Sequence, residues 1–304
     1  MRVTTAQSFN LAIDELQRRQ QGLAEAQMQL TSGKRVQRAS DDPTAAARAE
    51  RALAAIARSS ADQRALEASR NAMTLTESAL GDAAELLQQA RETMVAAGNA
   101  SYTDGERSAL AVRLRELRDQ LFAVANRADG IGGYLFGGSH ATVAPFVNAP
   151  APPGGVSYQG GAGRMTTPSS EPLPLTVDGG PVWAPPPPAV GVFTVLDRAI
   201  AELTTPGRSN AQVTQTVSAT LQGLDAAMQA QQGLRAEVGE VLGRIDMAEA
   251  RIAASRLHGQ TERSNAEDLD MVQAISEFQN RQTGYDAALR AYAMVQRMSL
   301  LQHL

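Results

Sequence analysis

Large apolar residues recur at alternating intervals of four and three at both extreme ends of this 304-residue chain. Near the start the row is Phe9, Ile13, Leu16, Gln20, Leu23, Gln27 and Leu30; near the end it is Met271, Ile275, Phe278, Gln282, Tyr285, Leu289, Tyr292 and Gln296. A 4-3 repeat is the signature of a helix that packs along a seam against another helix. Each row also carries glutamine at two positions, and a buried polar residue on a seam fixes register at some cost in stability. The chain is therefore constrained to open and close with long amphipathic helices, each able to pack on a partner helix.

Between those ends the helical signals continue. Ser32-Gly33 breaks the first helix, and Ser40-Asp41-Asp42-Pro43 starts the next. Asp42 suits the N-cap, and Pro43 suits the first helical position, where a missing N–H costs nothing. From Pro43 to Ala97 only Gly81 interrupts helical composition, enough for a rod of roughly 80 Å. Along it Leu66, Met73, Leu80, Leu87 and Met94 recur every seven residues, beside Ser69, Thr76, Ala83, Ala90 and Ala97. A large row beside a small row lets neighbouring helices approach closely. Thr103 and Glu106 form a candidate capping box. Leu110, Leu114, Leu117, Leu121 and Val124 follow as another stripe, with Gly130 expected to stop the helix.

Residues 130–192 differ in kind, with Gly and Pro dominant and Pro185 to Pro188 consecutive. Three short β-like pieces are expected, at 133–136, 155–158 and 175–177, the last before the turn dipeptide Asp178-Gly179. Helix returns after Phe193, with stripes through Val217, Leu221, Leu224 and Met228 and through Val238, Leu242, Ile245 and Ile252. The expected fold is mainly α: a long helical coiled coil or bundle from the N- and C-terminal halves, carrying a small β-rich insertion.

Catalytic chemistry is hard to find. Asp41 and Asp42 are adjacent carboxylates, but the capping role explains them better. His140, His258 and His303 lie far apart in the sequence, and neither HExxH nor a nucleotide-binding glycine motif occurs. There are no cysteines, which excludes disulfides and thiolate metal sites. A net charge of −4 is not the basic stripe that nucleic acid requires. No run approaches 18 apolar residues, so no membrane-spanning helix is expected. The N-terminal segment lacks the apolar core of a cleaved signal peptide. Neither an enzyme nor a cofactor is expected.

Residues 31–49 read TSGKRVQRASDDPTAAARA. This closely resembles the segment after the first helix in the hook-associated protein 3 family of the flagellin superfamily. The opening Met1-Arg2-Val3-Thr4-Thr5, the stretch Gly132 to Gly138 with Pro145-Phe146, and the ending Ser299 to Leu304 are similar to that family's segments, in the same order. The resemblance implies three layers: 1–41 with 269–304 as an inner terminal coiled coil, 42–140 with 193–268 as a helical rod, and 141–192 as an outer β domain. It implies a structural subunit outside the cell, exported by the flagellar type III apparatus with a chaperone engaging the C-terminal helix. Ring assembly with its own copies is implied, between a hook-side junction protein and flagellin. The terminal seam residues, with Leu300, Leu301 and Leu304, match the family's axial assembly helices. A flagellin-like filament subunit and an unrelated coiled-coil scaffold are the alternatives; flagellin's corresponding segment usually differs from SGKRV and SDDPTAAA.

Overall fold

The computed structural model describes residues 2–149 and 155–301, with side chains described for all of these except 2–6, 8 and 295–301. Seven helices and one small sheet account for the regular structure among the described residues. In chain order they are α1 (Arg2–Ser32), α2 (Pro43–Ala97), α3 (Asp104–Ala125), β1 (Phe146–Asn148), β2 (Val156–Tyr158), α4 (Gly180–Trp183), α5 (Val192–Thr204), α6 (Asn210–Glu267) and α7 (Met271–Leu301). The fold is mainly α, as expected. Residues group into two compact units, Met1–Ser59 with Ala254–Leu304 and Ser60–Ala253.

Local chemistry sets several helix starts. Asp42 Oδ1 accepts from the amides of Thr44 (3.1 Å) and Ala45 (3.0 Å), so it caps α2 with Pro43 behind it. Thr103 and Glu106 complete a capping box at α3. Gly81 does not interrupt α2. Gly130, however, is not the helix stop: α3 ends at Ala125 with Asn126 as its C-cap. The Asn126 side chain accepts from the Phe146 amide and donates to the Phe146 carbonyl, both at 3.0 Å, which turns the chain away from the helix. α5 stops at Thr204, and Pro206-Gly207, with Gly207 at φ +74°, separates it from α6.

In the second unit α2 and α6 run antiparallel. Arg235 clasps both carboxylate oxygens of Glu77, Arg91 bonds Asp225, and the Gln231 amide donates to the Leu80 carbonyl. The row of Leu66, Met73, Leu80, Leu87 and Met94 is almost wholly excluded from solvent, and so is the small row beside it. Its two hydroxyl residues are satisfied: Ser69 donates to the Pro174 carbonyl and Thr76 to Ala72 one turn back. Leu114, Leu117, Leu121 and Val124 of α3 and Leu224, Val238 and Ile245 of α6 complete that core.

The insertion yields less sheet than its composition suggests. β1 and β2 form a two-stranded antiparallel ladder, Phe146 opposite Tyr158. Of the three expected pieces, only 156–158 is a strand. Tyr134 makes a single bridge to Ala128, and the 175–177 stretch bonds first to Met165 and then to Leu135, so neither builds a ladder with one neighbour. What organises this region is aromatic packing. Phe136 meets Trp183 edge-on at 5.8 Å, Trp183 meets Phe193 at 6.4 Å, and Phe193 meets Phe122 of α3 at 6.0 Å. Leu173, Val177 and Trp183 belong to the same apolar core as the helices.

Candidate assembly surface

α1 and α7 pack against each other in antiparallel fashion within the first unit. Moving outward from their base, Arg281 Nη1 donates to the Gly22 carbonyl (2.8 Å), and Arg19 Nη1 to the Gly284 carbonyl (3.4 Å). Further out, Phe9 lies on Tyr292 with ring centroids 5.5 Å apart. Each helix thus sends one arginine to a glycine of the other. A methyl group at Gly284 would stand 3.1 Å from Arg19 Nη1, so the missing side chain lets the guanidinium reach the backbone.

Small residues set how closely the helices approach. Ala26 and Ala274 are buried, and Ala12, Gly22, Gly284 and Ala288 are half-buried. Around them Ile13, Leu16, Leu23, Leu30, Phe278, Tyr285 and Tyr292 are also half-buried. The line of contact therefore runs through Arg19 and Ala26 where the heptad row has Gln20 and Gln27. On α7 it runs through Ala274, Arg281 and Ala288, where the row has Ile275, Gln282 and Leu289. Gln20, Gln27 and Gln282 are exposed and lie outside this contact. An arginine can satisfy a carbonyl across the groove and an alanine narrows it, whereas a glutamine there would lose its water. The paired glycines and alanines at spacing four, Gly22-Ala26 and Gly284-Ala288, were the available signal for this register.

The rotation leaves a second row outside the pair. Met271, Ile275 and Leu289 are 45%, 46% and 41% exposed and, with Gln282, line one face of α7. Phe9 remains 42% exposed at the outer end. The side chains of Gln296, Leu300 and Leu301, and all of Leu304, lie outside the described residues.

The acidic pair at the start of α2 is wholly engaged in turn chemistry. Asp41 accepts from the amides of Arg38 (2.9 Å) and Gln37 (3.1 Å), and these bonds hold its carboxyl below the usual range. The Ala45 amide, followed by Arg35, does the same for Asp42. These bonds favour the ionised form of both, Asp41 in the turn before α2 and Asp42 at its cap, which suits neither to general acid work. Among the described residues no cluster of three His, Cys, Asp or Glu could hold a metal, and no helix is long and apolar enough to cross a membrane.

A second apolar feature lies on the other unit. Asp129 Oδ1 accepts from the amides of Ile131 and Gly133, both at 2.8 Å, and the flanking Gly130 and Gly132 take φ of +83° and +103°. Only glycine adopts that geometry cheaply. The turn holds Ile131 out in water at 91% exposure.

Comparison with known proteins matches both ends of the chain. Residues 3–141 match the bacterial flagellin N-terminal helical region, and residues 221–304 the bacterial flagellin C-terminal helical region. Flagellar hook-associated protein 3 of Salmonella typhimurium is 30% identical, the match covering 99% of each chain. Flagellar hook-associated protein 3 of Escherichia coli is 31% identical over 90% of each chain. The crystal structure of flagellar hook-associated protein 3 from Legionella pneumophila shares the fold, with a TM-score of 0.62 at 17% identity over 70% of this chain and 97% of that one.

Proposed function

This chain belongs to the hook-associated protein 3 family of flagellin-like proteins and is a structural, non-enzymatic subunit of the bacterial flagellum; we propose that it forms the junction ring between the hook-side junction protein and the flagellin filament. The observation that carries this reading is the exposed row on α7. A helix pair that stayed in water would gain by placing polar residues at 271, 275 and 289. Large apolar side chains held at the surface along one helix face mark a place that another protein covers.

In the assembled state that row meets the terminal helices of neighbouring copies. A head-to-tail contact of this kind, repeated by a screw operation, closes into a ring or continues as a tube. Flagellin above and the hook-side protein below then present similar terminal helices for the same stacking. Phe9, Ile13, Leu16, Leu23 and Leu30 hold α1 on α7, while Gln20, Gln27 and Gln282 face the assembly partners. Leu300, Leu301 and Leu304 add apolar residues to the assembly segment at the chain end. Residues 1–41 with 269–304 make up the inner assembly layer, 42–140 with 193–268 the rod, and 141–192 the outer part. Ile131 offers neighbouring rods a second, rigid apolar contact.

The subunit reaches this position outside the cell through the flagellar type III apparatus, with an export chaperone covering the C-terminal helix on the way. No nucleic acid, membrane or cofactor takes part.

Replacing Ile275 and Leu289 together with Glu tests the reading. Both side chains are half in water in the single subunit, so the melting temperature should move little. Carboxylates at a buried contact should abolish filament growth while the variant is still exported. Normal filaments on cells carrying this variant would remove the α7 row from the assembly surface.

A further inference from the structure

The two connectors that tie the terminal helices to the rest of the first unit are stitched to each other. Residues leaving α1 and residues leaving α6 meet at an antiparallel bridge between Lys34 and Asp268. The Leu269 amide donates to the Gly33 carbonyl (3.0 Å), and the amides of Arg35 and Val36 both donate to the Glu267 carbonyl (2.7 and 3.3 Å). The Arg35 guanidinium reaches the Ala266 carbonyl at 3.0 Å. At the centre lies one charged pair, Lys34 Nζ at 2.7 Å from Glu267 Oε2. The same oxygen accepts from Arg263 Nε at 3.3 Å. The Glu267 side chain is only 12% exposed, and Val36 and Ala266 are buried around it.

Lys34 is the only lysine among 28 basic residues. A guanidinium approaches a carboxylate as a planar fork, whereas an ammonium is compact. With Arg263 already on the shared oxygen, the compact cation is the one that fits beside it. Partners 233 residues apart are joined here, at the base of a helix pair whose other faces are in water.

Two helices alone gain little from packing, since most helical stability in proteins comes from tertiary burial. Bringing the chain ends together also carries a loop-closure cost. Once the connectors are stitched, that cost is met at the base, and the pairing beyond it becomes local. The contacts then follow in order outward: Gly22 with Arg281, Arg19 with Gly284, Phe9 with Tyr292.

We propose that the Lys34–Glu267 pair is the clasp that sets the register of α7 on α1. The terminal hairpin closes from the clasp outward and opens from its tips inward. Because the register decides which α7 residues face outward, the clasp also decides that Met271, Ile275 and Leu289 form the exposed row. This holds whether or not the subunit serves at the junction.

The test is hydrogen exchange on the full-length protein carrying Lys34→Met, which keeps an unbranched side chain only one atom shorter and removes its charge. Amides of Gly22–Leu30 and Ala274–Tyr285 should exchange about ten-fold faster or more, the effect of losing one charge-assisted bond at the base of a cooperative element. Trp183, the only tryptophan, lies in the second unit and reports on that unit alone. Its unfolding midpoint should stay where it is. Lys34→Glu combined with Glu267→Lys, in an Arg263→Gln background so that no like charge faces the new lysine, restores opposite charges and should return at least half of the lost protection. Unchanged exchange in Lys34→Met would overturn the proposal. So would an equal loss of protection in both units, or a charge swap that rescues nothing.

Discussion

Arg118 is a charged residue that stability depends on, and Arg118→Met measures how much. Its guanidinium lies 5.5 and 5.4 Å from the ring centroids of Phe122 and Phe193. It donates to Asp197 at 3.1 and 3.4 Å, to the Asn148 side-chain Oδ1 at 2.6 Å and to Asp119 at 3.3 Å. The Arg118 side chain is 9% exposed and that of Asp197 23%. Removing one member of a buried pair costs about 3–5 kcal/mol, mostly by stranding the other charge. Asp197 keeps the Gly155 amide at 2.6 Å and some water, so the lower end applies. Losing the cation over two rings adds about 1–2 kcal/mol, and the methionine sulfur on the same rings recovers about 0.3–1.5. The net loss is about 3 kcal/mol, or about 6–12 °C in melting temperature for a unit of this size. Trp183 fluorescence, beside Phe193, follows the transition directly. Adding Asp197→Asn to Arg118→Met should recover part of the loss, because the stranded charge disappears. A fall of less than about 2 °C in the single variant would refute the view that this arginine ties α3, α5 and the insertion together.

Thr103→Ala removes the hydroxyl that accepts from the Glu106 amide; the loss should be about 1 kcal/mol by chemical denaturation, as for other helix caps. Met73→Ala opens a void among fully buried neighbours in α2, and should cost about 2–5 kcal/mol in the same measurement.

Much of the helical plan was legible because it rests on short-range chemistry. The Asp42 cap and the Thr103–Glu106 box each join residues no more than three apart, and the heptad rows of α2 repeat within a single helix. The interior of the insertion was not legible in the same way. Leu175 and Val177 read as one strand, yet they bond to Met165 and Leu135, and nothing local sets those partners. Arg118 reads as an ordinary surface arginine until Asn148 and Asp197, 30 and 79 residues away, close around it. The same limit applies to Lys34 and Glu267.

The terminal helices fall between these cases. Their apolar rows announce packing but leave two faces competing for the contact, one through glutamines and one through glycines and alanines. Periodicity alone does not separate faces that share Ile13, Leu16, Leu23 and Leu30. The arginine-to-glycine bonds decide it, and each spans more than 250 residues.

Electron microscopy of cells lacking this subunit tests whether it joins hook to filament. Such cells should carry hooks without filaments and release filament protein into the medium. Filaments of normal length on those cells would contradict that role, and so would bare hooks with no filament protein in the medium, since the chain would then be the filament subunit itself.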